Sequence, residues 1–283
     1  MYKNSIGVIY SLAELLERGP GKLLDLGIDC VQLNSGDTRL YTEENAKTAK
    51  KMLEGKIKIT SFWAGWSGPG VWDNVDGPHT LGIVPPALRH QRTNELLKGA
   101  DFACMLGVGD MATHAGFIPE HPSFPEYRGV VQTIRYIASH CKAGGLCFNF
   151  ETGQETPVTL MRCIKDVGLD NLGINFDPAN LILYGRGNPV DAVDIFRGYI
   201  RGVHVKDGDY PNENNPGGFY SLGAERKVGE GSVNFPVFLP KLLAQGYGGD
   251  LYIEREISGE QQIKDIKETI RYVKKMLTGQ TGE

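Results

Sequence analysis

The sequence predicts a single-domain (β/α)8 barrel across residues 1–283, and three observations carry the prediction. Apolar runs with strand character alternate with helical segments along the whole chain, eight of each. No linker or shift in composition separates a second domain. Four runs in the second half also stop at an acidic or imidazole side chain: Glu151 in LCFNFE, Asp177 in LGINFD, His204 in RGVHV and Glu254 in LYIE. The first three lie roughly 25–30 residues apart, the length of one strand-plus-helix unit. Equivalent positions on neighbouring parallel strands converge.

The first strand covers 5–10, and LAELLERGPGKLLDLG follows as a helical region interrupted by Gly19 and Pro20. IDCVQLN returns to strand, an Ala- and Lys-rich helix covers 43–53, and IKITSFW is the third strand. Residues 86–105 are helical, GVGDMATH is a weaker strand, and 126–142 form a helix with Val130, Ile134 and Ile137 at helical spacing. GLCFNFE is the fifth strand. Thr156-Pro157 opens the next helix, with proline in its first turn. LGINFD is the sixth strand, 190–196 a short helix and GVHVK the seventh strand; helices over 235–245 and 259–277 flank the eighth, DLYIE. In such a barrel the chemistry sits on the loops after the strand C-termini, where all four marked residues fall.

The tract GDYPNENNPGGFYSLGAERKVGEGSVN after the seventh strand is rich in Gly, Asn and Pro. A loop this long in a compact domain is usually functional, so 208–233 is read as a candidate lid, with Arg226 and Lys227 as candidate contacts for an anionic group. The GEG at 229–231 lacks the spacing and the preceding strand of a dinucleotide-phosphate cradle.

Composition excludes several classes. With 41% hydrophobic and 23% charged residues the chain can bury one large core, and its net charge of -4 argues against a nucleic-acid groove. No stretch approaches a membrane span and MYKNSIGVIY lacks a signal-peptide pattern, so the expected location is cytoplasmic. Cys30, Cys104, Cys141, Cys147 and Cys163 form no CxxC pair and are odd in number, which suits reduced thiols.

Glu151, Asp177, His204 and Glu254 together read as a metal site. Strand alternation places Gly202, His204 and Lys206 on one side of the seventh strand, facing the barrel axis, and Val203 and Val205 on the other. His114, ending the fourth strand, is a candidate contact for substrate or a metal-bound water. Lys206 is a candidate for stabilising developing negative charge or holding a ligand carboxylate, whereas Asp207 is read as capping the following loop. SFWAGWSGPGVWD holds all three tryptophans, and one of Trp63 and Trp66 is expected to stack on the apolar face of a bound small molecule.

The runs NFETGQE, INFDPANLILYG, GVHVKDGDYP, LGAERKVGEGSVNF and YIEREISG together resemble the sugar phosphate isomerase/epimerase family of the xylose-isomerase-like TIM barrels. Its relatives include tagatose and allulose 3-epimerases, hydroxypyruvate isomerase and inosose dehydratase. The resemblance covers nearly the whole chain, is strongest from His114 onward, and specifies fold and metal site more than substrate. By motif it implies Glu151, Asp177, His204 and Glu254 as metal ligands, with Glu254 preferred over Glu256 because it directly follows the apolar run. Arg255 is expected to pair with a neighbouring carboxylate. Three carboxylates and one imidazole suit Mn2+, Mg2+ or Co2+, with Zn2+ a further option, and Mn2+ is favoured. Relatives carry a substrate-contacting imidazole three residues after the strand-six Asp; Asn180 stands there in this chain. An amide can hydrogen-bond a hydroxyl but cannot exchange a proton near neutral pH, a departure from the ketohexose 3-epimerases.

The implied chemistry is removal of a proton next to a carbonyl, with Glu151 and Glu254 as acid–base catalysts, on a ketose, keto-sugar or cyclitol. The alternative is a lyase or dehydratase on a keto-glycoside or inosose, using the same metal and Glu base. A barrel nuclease of the endonuclease IV type would need several clustered histidines and a basic face, and six histidines with an acidic balance oppose it. The expected partner is a small-molecule sugar or cyclitol, with neither nucleic acid nor membrane, and the resemblance implies a homo-oligomer.

Overall fold

The computed structural model describes residues 4–214, 218 and 221–278. The chain opens with β1 (Ile6–Ser11), α1 (Leu12–Arg18), α2 (Gly21–Leu24), β2 (Cys30–Ser35), α3 (Glu43–Leu53) and β3 (Lys58–Ala64). It continues through α4 (Gly77–Thr80), α5 (Pro86–Leu106), β4 (Asp110–Thr113), α6 (Pro125–Ala143), β5 (Cys147–Glu151) and α7 (Pro157–Val167). β6 (Leu172–Phe176), α8 (Pro178–Leu183), α9 (Pro189–Ile195) and β7 (Ile200–Val205) follow, then β8 (Asp207–Asp209) and β9 (Ala224–Arg226). α10 (Phe235–Ala244), β10 (Asp250–Ile253) and α11 (Glu260–Leu277) complete it. Eight parallel strands close a barrel in the order β1-β10-β7-β6-β5-β4-β3-β2. This is the predicted single-domain (β/α)8 architecture.

Local chemistry sets the element ends. Ser11, Thr42 and Thr156 cap α1, α3 and α7 through their hydroxyls, each accepting a first-turn backbone N–H. Gly107 ends α5 in the left-handed conformation at φ 80, which a side chain would disfavour. Outward-facing strand residues anchor the barrel to its helices: Phe176 meets Phe196 and Phe238 at ring-centroid distances of 5.1 and 5.3 Å. Val203, Val205, Leu251 and Ile253 are buried on the same outer side. The alternate residues of these strands turn inward, so the same period-2 pattern that builds the core delivers polar groups to the axis.

Two features depart from the sequence reading. α8 lies directly behind Asp177, whose Oδ1 accepts the Asn180 N–H at 3.0 Å; every residue of α8 is buried, so it has no amphipathic period to detect. β8 and β9 pair antiparallel within the tract expected to be loop. Asp207 holds this hairpin: Oδ1 accepts the N–H groups of Gly208 and Val233, and Oδ2 those of Gly229 and Gly231, at 2.9–3.2 Å. The GEG run is thus a cradle for a carboxylate of the chain itself. Residues 215–217, 219 and 220 of the candidate lid lie outside the described residues.

Arg226 pairs with Asp209, and Lys227 with Glu230 and Glu268. All five cysteines are free thiols. None of the described helices is long and apolar enough to cross a membrane.

Candidate metal centre

Four neighbouring strands of the ring, β5, β6, β7 and β10, bring Glu151, Asp177, His204 and Glu254 together at their C-terminal ends. Each offers one donor atom, and those atoms all lie within 4.8 Å of one another. His204 Nδ1 stands 3.3 Å from Glu151 Oε1, 3.7 Å from Asp177 Oδ2 and 2.9 Å from Glu254 Oε2. Asp177 Oδ2, His204 Nδ1 and Glu254 Oε2 are buried without hydrogen-bond partners. Buried polar atoms without hydrogen-bond partners are costly, and three converging on one point fit a shared cation. This buried Glu/Asp/His/Glu cluster can bind a divalent metal.

The electrostatics agree. Burial opposes the charged form of His204, but Glu151 and Glu254 outweigh it and hold the imidazole pKa well above its ordinary value. Burial likewise opposes ionisation of Glu151, yet His114 and His204 keep that carboxyl well below the usual range. Without another cation the protein's own imidazoles must offset the carboxylates; a divalent ion can take that role and release His204 as a neutral ligand.

Above the cluster lies a cavity of about 360 Å³ that includes Trp63, His114, Asn180 and Lys206 in its lining. Trp63 donates its indole N–H to Glu151 Oε2, and His114 Nε2 lies 3.4 Å from Glu151 Oε1. Lys206 Nζ donates to Asn180 Oδ1 at 3.3 Å and Glu256 Oε1 at 2.6 Å, and lies within 3.7 Å of Asp177 and Glu254 carboxylate oxygens. Burial disfavours its charge, but Glu254, Asp177 and Glu256 raise its pKa well above the usual value, so it remains an ammonium. Glu256 stays outside the metal cluster as the partner of Lys206, and Arg255 pairs with Glu225 and Asp265.

Trp66 is placed differently. It is absent from the lining of that cavity, where Trp72 takes the wall beside His114 at 5.1 Å between ring centroids. Trp66 stacks behind Trp72 and over Arg92, whose guanidinium carbon is 3.9 Å from the ring centroid. Arg92 is fully buried and donates to the carbonyls of Ser67, Pro69, Thr80 and Gly82 at 2.6–3.0 Å. A helix residue thereby clamps the tryptophan loop. Arg92→Ala is expected to destabilise the fold by about 3 kcal/mol, through carbonyls left unpaired and lost packing. Arg92→Lys should rescue little, because one ammonium cannot span four carbonyls; urea unfolding midpoints check both.

Glu155 is buried beside the pocket wall with Oε2 unpartnered. Burial pushes its carboxyl up to about 8, against the lowering fields of His114 and Arg186. Between the unfolded value near 4.5 and about 8 the folded chain keeps a proton that the unfolded chain has lost. Stability from this group is therefore full below the window and falls as pH rises through it. Glu155→Gln should flatten that fall, seen as a smaller difference between unfolding midpoints at low and high ends of the window.

Two residues absent from the sequence reading sit beneath the cluster. Gln32 Oε1 is 2.7 Å and Asn175 Nδ2 2.9 Å from His204 Nε2. In sequence Asn175 is the one polar side chain of an apolar strand, whereas Gln32 shares its strand with Asn34 and Ser35 and does not stand out.

Residues 21–276 match the family model described as xylose isomerase-like TIM barrel. A xylose isomerase domain protein from Planctomyces limnophilus, of solved structure, is 34% identical with a TM-score of 0.88, covering 97% of each chain. A D-tagatose 3-epimerase-like protein is 22% identical with a TM-score of 0.75, covering 98% of this chain and 100% of that one, a likeness of fold. An uncharacterised protein of Methanocaldococcus jannaschii is 34% identical over 102 residues, 36% of this chain and 31% of that protein. The match thus spans about a third of that curated relative's length.

Proposed function

The chain belongs to the xylose isomerase-like TIM barrels, and on that footing we propose that it is a divalent-metal-dependent sugar isomerase or epimerase. Its substrate is a ketose, keto-sugar or cyclitol that loses a proton from the carbon next to its carbonyl. The observation that carries this reading is the convergence of four donor atoms, three of them buried and orphaned, at the floor of a cavity sized for a small molecule. The fold likeness to a D-tagatose 3-epimerase-like protein supports it.

Glu151, Asp177, His204 and Glu254 would hold the ion, with Mn2+ favoured for a set of three carboxylates and one imidazole. When bound, it supplies Lewis-acid polarisation of the substrate carbonyl. Glu151 is kept ionised by its histidine neighbours and takes the proton. Glu254, three strands round the ring, delivers a proton from another side. Lys206 places a fixed positive charge where negative charge develops on the substrate oxygen. Trp63 and Trp72 offer apolar faces for the sugar C–H surface, and His114 and Asn180 hydrogen-bond its hydroxyls.

Lys206→Met is expected to lower turnover by roughly 10²–10³-fold while Mn2+ binding persists, as steady-state kinetics and a metal titration would show. The function itself is tested in D2O, with ketohexoses, inososes and 3-keto-glucosides offered to the Mn2+-loaded protein and to a chelator-treated control. Metal-dependent deuterium uptake next to the carbonyl, with substrate mass otherwise kept, supports an isomerase or epimerase. Loss of water or of a leaving group makes it a lyase, and no uptake on any of them removes the support for this reading.

A further inference from the structure

We infer that the N-terminal mouth of the barrel is a second binding site, built for a neutral polyol such as a cyclitol or a monosaccharide ring. The inference goes beyond the proposed reaction and does not depend on the metal cluster.

A cavity of about 490 Å³ opens where β3, β4, β7 and β10 begin, at the opposite end of the barrel from the cluster, and it is larger than the cavity above the cluster. Its walls are the starts of these strands and the two loops that lead from α9 into β7 and from α10 into β10. Ser61 and Asn175 close its inner end. Gln32 donates to both, at 3.0 and 3.3 Å, and Asn175 Nδ2 lies 2.9 Å from His204 Nε2, so one polar layer separates this cavity from the metal donors. The two cavities share no lining residue.

Part of the lining is already satisfied. Asp110 accepts from Arg201 at 2.8 and 3.2 Å and from the Asn149 amide at 2.9 Å. A second pair of charges is not used in this way. Asp250 and Arg197 line the same cavity, yet neither forms an ion pair among the described residues, and Arg197 makes no hydrogen bond there either. Asn149 is 2% exposed and keeps Oδ1 without a partner, a state that calls for an explanation in a buried amide. Tyr252 donates to Asp250 Oδ2 at 3.2 Å and shares a 2.8 Å bond with Thr60 Oγ1, while Tyr247 donates to the Asp250 carbonyl at 2.6 Å. Burial and the Asp250 charge hold both phenols protonated. Glycines make room for these rings: a Cβ at Gly249 would lie 2.8 Å from the Tyr247 hydroxyl, and one at Gly202 3.3 Å from the Tyr252 ring.

Two carboxylates and two guanidiniums leave the lining without net charge, which favours a neutral occupant over an anion. The unused groups are a carboxylate and an amide oxygen, which accept, and a guanidinium, which donates. A hydroxyl does both, and neighbouring hydroxyls on one ring match the paired planar atoms of Asp, Asn and Arg side chains. The tyrosine rings add apolar faces for C–H surface.

The test titrates protein labelled with 15N-glycine against myo-inositol and D-glucose, with Mg2+ present throughout. Shifts of the Gly198, Gly246, Gly248 and Gly249 amides that saturate with a dissociation constant of about 1 mM or tighter support the site. Gly153 reports the upper cavity, because a Cβ there would meet His114 and Tyr184 at 3.3 and 3.6 Å. No shift of the lower glycines with either polyol, or shifts of Gly153 alone, overturns the inference. Inorganic phosphate or free glycine binding more tightly than the polyols at the lower glycines overturns it too. Arg197→Ala and Asp250→Asn are each expected to weaken polyol binding there by roughly 10-fold. Arg197 is exposed and unpaired, so its removal leaves the fold in place, and unchanged binding in that variant counts against the assignment even if Asp250→Asn fails to fold.

Discussion

Glu151→Gln is expected to cut deuterium exchange and turnover by roughly 10²–10⁴-fold, the range that a positioned general base contributes, with the fold retained. The side chain is nearly isosteric, but an amide cannot take up the substrate proton and is a weaker donor to a cation. Its surroundings also make it a demanding position: Trp63 donates to one oxygen, while His114 and His204 crowd the other at 3.4 and 3.3 Å. Circular dichroism would confirm folding, and isotope exchange would measure the loss. Full exchange in a folded Glu151→Gln protein would remove Glu151 as the base. Glu254→Gln provides the contrast, because a chain that still exchanges deuterium but converts no substrate has kept proton removal and lost delivery from the other side.

Chelation is expected to abolish activity and lower the thermal midpoint, and added Mn2+ to reverse both. A ligand that binds only the folded chain stabilises it by about 2.7 kcal/mol at one hundred times its dissociation constant. For a domain near this size that corresponds to about 5–10 °C. The physical source is the cluster itself, where buried carboxylates face one another across orphaned atoms. His204→Ala removes the nitrogen donor and should show little or no Mn2+-dependent shift in a thermal scan. An equal shift in that variant would place the stabilising ion elsewhere.

The barrel was legible because its repeats are regular. GLCFNFE, LGINFD, GVHVK and DLYIE each combine an outward apolar set with an inward polar one, and each is a barrel strand. The four clustered residues announced themselves as polar groups at equivalent strand ends, and they do converge in space. What escaped depends on contacts distant in sequence. β8 and β9 are three-residue segments with no apolar alternation, and they pair because Asp207 gathers four backbone N–H groups from both sides of the hairpin. Trp66 and Trp72 were separable only through Arg92, a cation on α5 that draws Trp66 behind the pocket wall. Gln32 reads as an ordinary strand residue until the closed ring sets it across from Asn175.

The most direct test of the metal centre is an anomalous difference map from crystals grown with Mn2+. The account predicts one strong peak about 2.0–2.2 Å from the nearest oxygens of Glu151, Asp177 and Glu254 and from His204 Nδ1. A map with no peak there, or with Mn2+ held by other side chains, would contradict it.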